Sequence, residues 1–228
     1  MDNKNIKDIC FIIQARLDSK RLPGKMLKPF ADSNLFEITI NKLLDSDLIP
    51  NDNIYLSLYD DELIDIGKKY PVNIFHRTKE SVSETKEPRV VSQWSWKLPH
   101  KYCVTINACT PLLKVETINS FVRHYLKSKN ESLFAVHNIK NFYWNMDGHL
   151  ITKYPGSLDT KLVDSVYEAA HCLYAGSKEK LSNNIYLGDF TKNNPELWEV
   201  NENETFDIDY EWQFNITEIL YENRNRFL

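Results

Sequence analysis

The run Ile9-Cys10-Phe11-Ile12-Ile13 is unbroken by any polar residue and rich in β-branched side chains, the pattern of a strand covered on both faces. After a polar stretch, Leu35, Ile38, Ile40 and Leu43-Leu44 recur at helical spacing. Residues 53–58 read as a second strand, 62–70 as a second helix and 72–75 as a short third strand. A helix is expected over 86–96 and a fourth strand over 102–106. Val115, Ile118, Phe121, Val122 and Tyr125 then mark one face of an amphipathic helix. Alternation of this kind predicts an α/β fold with a mostly parallel sheet and helices on both faces.

The second half is patterned differently. Residues 132–137, 142–145, 149–152 and 170–174 read as strands, with Asp147-Gly148 as a hairpin turn between the middle two. A last helix is expected from about Tyr210 to Asn225, with Phe214, Ile216, Ile219 and Leu220 available for packing. The chain has no internal repeat and no low-complexity linker. One domain over 1–228, with a β-rich excursion at 138–168, is the simplest organisation.

Composition narrows the class. The chain has 228 residues, 42% hydrophobic and 26% charged, an ordinary globular balance with enough length for a full core. A net charge of −4 argues against a nucleic-acid-binding coat. No stretch approaches the ~20 apolar residues of a membrane span, and the polar N-terminus resembles no secretory signal. Four scattered cysteines without a C-x-x-C pair fit reduced thiols in a cytoplasmic protein. Only six glycines are present, which excludes the glycine-rich phosphate loops.

Charge is nevertheless concentrated. Residues 16–28 hold Arg16, Lys20, Arg21, Lys25 and Lys28 against the single acid Asp18, a local +4 that leaves the remainder at −8. This loop directly follows the first strand, and in doubly wound sheets ligands bind beyond the carboxyl ends of strands. Backbone N–H groups and cationic side chains there suit a polyphosphate; a solvated basic loop has the same composition. Near the other end, residues 196–213 contain seven acids and no Lys or Arg. Asp207 and Asp209, two apart in an extended segment, face the same way and suit Mg²⁺. The same pattern also describes an acidic approach to a helix N-terminus.

The segment Ala15-Arg16-x-x-Ser19-Lys20-Arg21-Leu22-Pro23-Gly24-Lys25 resembles the signature loop of the N-acylneuraminate (CMP-sialic acid) cytidylyltransferases, and its Leu-Pro-Gly-Lys version their spore-coat-polysaccharide branch. Other segments resemble family motifs in order. His76-Arg77-Thr78 and Ser83-Glu84-Thr85 follow the third strand, and Asn107-Ala108-Cys109-Thr110-Pro111-Leu112 follows the fourth. His137-Asn138-Ile139-Lys140, Ala170-His171-Cys172-Leu173-Tyr174 and Asp207-Ile208-Asp209 complete the set.

The resemblance implies a Rossmann-like nucleotidyltransferase fold. It implies that CTP and a sugar or sugar acid give a CMP-sugar and pyrophosphate for a surface glycan. It assigns the nucleotide to Ala15, Arg16, Ser19, Lys20, Gly24, Lys25, Arg77 and Thr85, and Mg²⁺ to Asp207 and Asp209. Arg16, Lys25 and Asp209 become the catalytic set. Acceptor positions fall at Asn107, Lys140, Glu168, His171 and Tyr174. A homodimer is implied, with the 138–168 excursion reaching toward the partner. The acceptor positions depart most from the pattern: Glu168 stands where a cation is expected, and Ala170-His171 replaces Asn-Gly. Another nucleoside triphosphate, a phosphorylated or polyol acceptor, and a non-catalytic nucleotide-sugar-binding relative are the alternatives.

Overall fold

The computed structural model describes residues 4–83 and 87–227. Seven strands form one mixed sheet in the order β3-β2-β1-β4-β6-β5-β7. They are β1 (Ile9–Gln14), β2 (Ile54–Leu58), β3 (Asn73–His76), β4 (Tyr102–Ile106), β5 (Leu133–Ile139), β6 (Val166–Ser177) and β7 (Glu196–Glu199). Strands β1 to β4 are parallel neighbours, and β7 runs parallel to β5. Only β6 is antiparallel to its neighbours β4 and β5. The expected mostly parallel α/β sheet is thus what forms.

Alternate residues of β1 explain its continuous apolar run. Ile9, Phe11 and Ile13 enter the larger core with α1 (Leu35–Leu44), α2 (Asp61–Gly67), α6 (Val115–Lys127) and Phe214 of α8 (Glu211–Glu222). Cys10 and Ile12 enter a smaller core on the opposite face. There they meet Trp94 of α5 (Trp94–Lys97), Leu181 of α7 (Lys178–Ser182), and Leu187. Helices therefore cover both faces, but those on the second are single turns. They leave room above the carboxyl end of β1 and β4.

Several local expectations are corrected. In place of one helix over 86–96, the described part holds two short ones, α4 (Pro88–Val91) and α5, separated where Ser92 leaves helical geometry at φ −109°, ψ 52°. Neither 142–145 nor 149–152 is a strand. They are joined by a single Trp144–Leu150 bridge around the turn at Gly148, whose φ is +81°. The excursion is mostly irregular because no third strand offers its backbone groups partners. Strand β7 is a pairing that the acidic sequence did not suggest. In the last helix Phe214 is buried, whereas Ile216 and Ile219 are exposed.

Candidate active site

The loop after β1 is shaped by its apolar residues. Leu22 and Met26 are buried, pinning the loop to the larger core, while Gly24 turns the chain at φ +69°. Its N–H donates to the Leu17 carbonyl at 3.0 Å, and the Leu17 N–H donates to Asp60 Oδ2 at 3.0 Å. Ser19 Oγ accepts from the Leu22 N–H at 3.4 Å, so Ser19 shapes the turn. Between these anchors the basic side chains divide. Arg16 and Lys20 face a cleft of ≈ 510 Å³, also lined by Ala15, Arg77, Ser81 and Ser83. Lys25 turns inward and is nearly buried.

Lys25 meets the distant acidic segment. Its Nζ donates to the Ile208 carbonyl at 2.6 Å and to Asp209 Oδ1 at 3.2 Å. The other oxygen of Asp209 lies 2.7 Å from an Arg21 guanidinium nitrogen. Lys28 pairs with Glu211 beside them. Burial works against the Lys25 ammonium, but Cys109 and Asp209 outweigh it and hold its pKa above the ordinary lysine value. Cys109 is itself pushed up to about 11, chiefly by burial, and is a neutral thiol at pH 7. We therefore attribute the charged state of Lys25 mainly to Asp209.

The loop after β4 completes the junction. The Ile208 N–H donates to the Cys109 carbonyl at 3.0 Å, which places Asp207 and Asp209 over the carboxyl edge of β4. Asn107 Nδ2 donates to the His171 carbonyl at 2.8 Å and to Asp207 Oδ1 at 3.4 Å. Burial first, and the Asp209 charge second, raise the pKa of Asp207. Two partly buried carboxylates that repel each other suit a bound divalent cation. Among the described residues no cluster of three or more His, Cys, Asp or Glu side chains forms a metal cage. A pair of carboxylates is nonetheless the donor set Mg²⁺ commonly uses beside substrate phosphates and water.

Arg77 sits on the other side of the cleft, almost fully buried. Its Nε donates to Ser81 Oγ at 3.1 Å and its Nη2 to the carbonyls of Ser81 and, at 3.4 Å, Val91. Burial, with Arg16 nearby, lowers its pKa to about 10. It remains a cation at pH 7 and ties α3 (Lys79–Val82) to α4. Arg16 donates to the Val82 carbonyl at 2.8 Å from the opposite wall. Thr85 lies outside the described residues.

A second cavity of ≈ 290 Å³ adjoins the cleft and shares Gln14 and Val91 with it. Asn107, His171, Tyr174 and Asp207 line it, with Trp94 and Tyr186. Strand β6 bulges here, as its register against β5 shifts between Phe134 and Val136, and His171 adopts φ +53°. Such backbone strain in a non-glycine residue concentrates at functional sites. The bulge exposes the imidazole, whose Nδ1 lies 2.6 Å from the Tyr174 hydroxyl. Lys140, exposed just beyond β5, and Glu168, 3.9 Å from His137, line neither cavity. The sequence pattern did not single out Gln14, Ser81 or Tyr186. Gln14 was locatable as the first polar residue after the apolar run; the other two carry no local signal.

A cationic loop after the first strand, facing a carboxylate segment across the carboxyl edge of a doubly wound sheet, defines a nucleotide-handling α/β protein. Residues 10–178 match the family model for cytidylyltransferase, and the chain belongs to that family. Among curated relatives, the spore coat polysaccharide biosynthesis protein SpsF of Bacillus subtilis is 40% identical over 63 residues, 27% of this chain and 26% of that protein. The pseudaminic acid cytidylyltransferase of Campylobacter jejuni is 24% identical over 231 residues, 95% of this chain and 97% of that one. A CMP:2-keto-3-deoxy-manno-octonic acid synthetase solved with CTP shares the fold. It superposes with a TM-score of 0.71 over 95% of this chain and 99% of that one, at 12% identity. No helix among the described residues is long and apolar enough to cross a membrane.

Proposed function

We propose that this protein transfers CMP from CTP to a hydroxyl of a sugar or sugar-acid acceptor, releasing pyrophosphate, and supplies a CMP-sugar for a surface glycan. Membership of the cytidylyltransferase family supports the nucleotide. The observation that carries the site is the meeting of Lys25 with Asp209 and Ile208, which joins the basic loop to the acidic segment. The triphosphate lies in the cleft against Arg16 and Lys20, with Ser19 and Gly24 shaping its loop and Lys25 holding that loop to Asp209 beside it. Ala15 and Arg77 flank the nucleoside, and the acceptor occupies the adjoining cavity against Asn107, His171 and Tyr174. The acceptor oxygen forms a bond to the α-phosphorus as the bond to the bridging oxygen breaks. Pyrophosphate leaves and the hydroxyl proton passes to solvent. Alignment and neutralisation of charge by Lys25 and Arg16 lower the barrier. Asp207 and Asp209 would hold Mg²⁺, which supplies further charge neutralisation at phosphate oxygens.

Trp144, Met146, Ile151, Tyr154, Leu158 and Leu162 are exposed along the excursion. An apolar patch of this kind favours a homodimer formed through that arm, which light scattering tests. The reaction belongs in the cytoplasm, where CTP is available. The decisive experiment is pyrophosphate release from CTP and Mg²⁺ with a panel of sugars and sugar acids. Release should depend on acceptor, and Asp207→Asn should raise the Mg²⁺ requirement. Silence across the whole panel would overturn the reading.

A further inference from the structure

The segment that carries Asp207 and Asp209 has little regular structure to hold it. After β7 it makes the short 3₁₀ turn Glu202–Glu204 and then runs irregularly to α8. Among the described residues, the only backbone–backbone hydrogen bond that joins 201–210 to a distant part of the chain runs from the Ile208 N–H to the Cys109 carbonyl. Side chains must therefore do the rest of the holding.

Glu204 is a buried carboxylate that lines neither cavity. Its Oε2 accepts from the Lys114 N–H at 3.2 Å and from the Thr117 hydroxyl at 2.6 Å, and its Oε1 lies 3.8 Å from Lys114 Nζ. Lys114 is the N-cap of α6, and its own side chain makes no capping bond. From 90 positions away, Glu204 does what a capping-box glutamate does from within a helix: it reaches the N-cap N–H. The helix dipole favours a negative charge at that end. Helix α6 is a firm anchor, because Ile118, Phe121, Val122 and Tyr125 are buried in the larger core. The turn before it is fixed as well, since Lys42 Nζ of α1 donates to the Thr110 carbonyl at 3.3 Å and to that of Pro111.

Glu204 and Ile208 thus fasten to the two ends of one stretch, 109–117. Asp207 lies between these fastenings and Asp209 just beyond the second. Thr205, next to Glu204, meets β5 through His137 Nε2 at 2.5 Å. We infer that Glu204 is a positioning residue. By clamping the acidic segment to the N-terminus of α6, it sets Asp207 and Asp209 where the basic loop and the cleft meet them. It acts through the backbone of 205–208 and touches no reacting group. This rests on the reading of the protein as a CTP-dependent transferase in which those carboxylates serve at the phosphates.

The test uses the full-length protein and the variants Glu204→Ala, Glu204→Gln and Thr117→Val. Pyrophosphate release from CTP and Mg²⁺, with the acceptor that turns over fastest, gives kcat and KM. Hydrogen–deuterium exchange compares the Ile208 amide with the amides of β1. Glu204→Ala should lower kcat about tenfold or more, the cost of displacing active-site groups by a fraction of an ångström to ~1 Å. The KM for CTP should stay within about twofold. Exchange at Ile208 should quicken about tenfold while β1 stays protected. Glu204→Gln keeps an oxygen for Lys114 and Thr117 and should recover most of the rate. Thr117→Val leaves the carboxylate its Lys114 bond and should show a smaller loss of the same kind. If Glu204→Ala does not fold, Thr117→Val decides by the same comparison. Wild-type kcat and wild-type Ile208 protection overturn the inference. So does a loss of protection at β1 equal to that at Ile208, which marks general destabilisation. A wild-type protein that releases no pyrophosphate with any acceptor overturns the transferase reading instead, and the exchange comparison still decides the clamp.

Discussion

Lys25 and Asp209 are 184 positions apart and meet at 3.2 Å, with Lys25 also capping the Ile208 carbonyl. That contact brings the two charged segments of the chain together at one sheet edge. Lys25→Met and Asp209→Asn should each lower kcat by about 10²-fold or more, with an unchanged far-UV circular dichroism spectrum. In a double-mutant cycle the combined loss should be smaller than the two single losses added together, since each variant already removes the shared contact. Strict additivity would show that the pair does not act as a unit.

Arg77 holds the cleft's far wall through Ser81 and Val91. Arg77→Met leaves those buried oxygens without a donor, at a cost of about 2 kcal/mol. For a chain of this size that corresponds to a Tm lower by roughly 5 °C. Arg77→Lys should recover little of it, because an ammonium cannot span both partners as the planar guanidinium does. The KM for CTP should rise in both variants. Differential scanning calorimetry and initial rates at varied CTP check the two halves.

Gly24 sits at φ +69° with nothing within 4 Å of where a Cβ would stand. Space is therefore not the constraint, and conformation is. Gly24→Ala should cost about 1 kcal/mol, and Gly24→Asn less, since Asn tolerates this region better. Activity should fall in the same order. Equal stability of the two variants would contradict the conformational account.

Glu196 gives the acid limb of stability a specific origin. It accepts from Asn130 Nδ2 at 3.0 Å and from Ser128 Oγ, and lies 2.7 Å from His124 Nε2. Burial alone would raise its pKa, but these three bonds outweigh burial and lower it below 4.5. A carboxyl whose folded pKa is depressed contributes stability above its unfolded value, lost as pH falls through the folded one. Urea midpoints should therefore decline below about pH 4.5, and Glu196→Gln should flatten that decline while lowering stability at pH 7.

Some elements were legible because their signal is local. The run 9–13 demanded a doubly covered strand, and β1 is that strand; Val115, Ile118, Phe121, Val122 and Tyr125 demanded a helix, and α6 follows. Strand β7 was not legible, because Glu196-Leu197-Trp198-Glu199 becomes a strand through its pairing with β5 rather than through its own pattern. The reverse holds at 142–152, where strand-like residues lack a neighbouring sheet. The aromatic residues Trp94, Trp96 and Trp144 share a composition but not a place: Trp94 is buried beside the second cavity, and the other two are exposed.

By itself the sequence determined the α/β class, the basic loop after the first strand and the two carboxylates near the C-terminus. Each of these is written in a short span by periodicity, turn chemistry or charge. Only the tertiary structure decided that Lys25 turns inward to Asp209 while Arg16 and Lys20 face the cleft. It alone separated a cationic cavity from an adjoining one without lysine or arginine among its described lining residues. Those outcomes depend on sheet order, on a bulge in β6 and on single-turn helices that leave one face open. They are set by contacts between residues far apart in the chain, which no local pattern encodes.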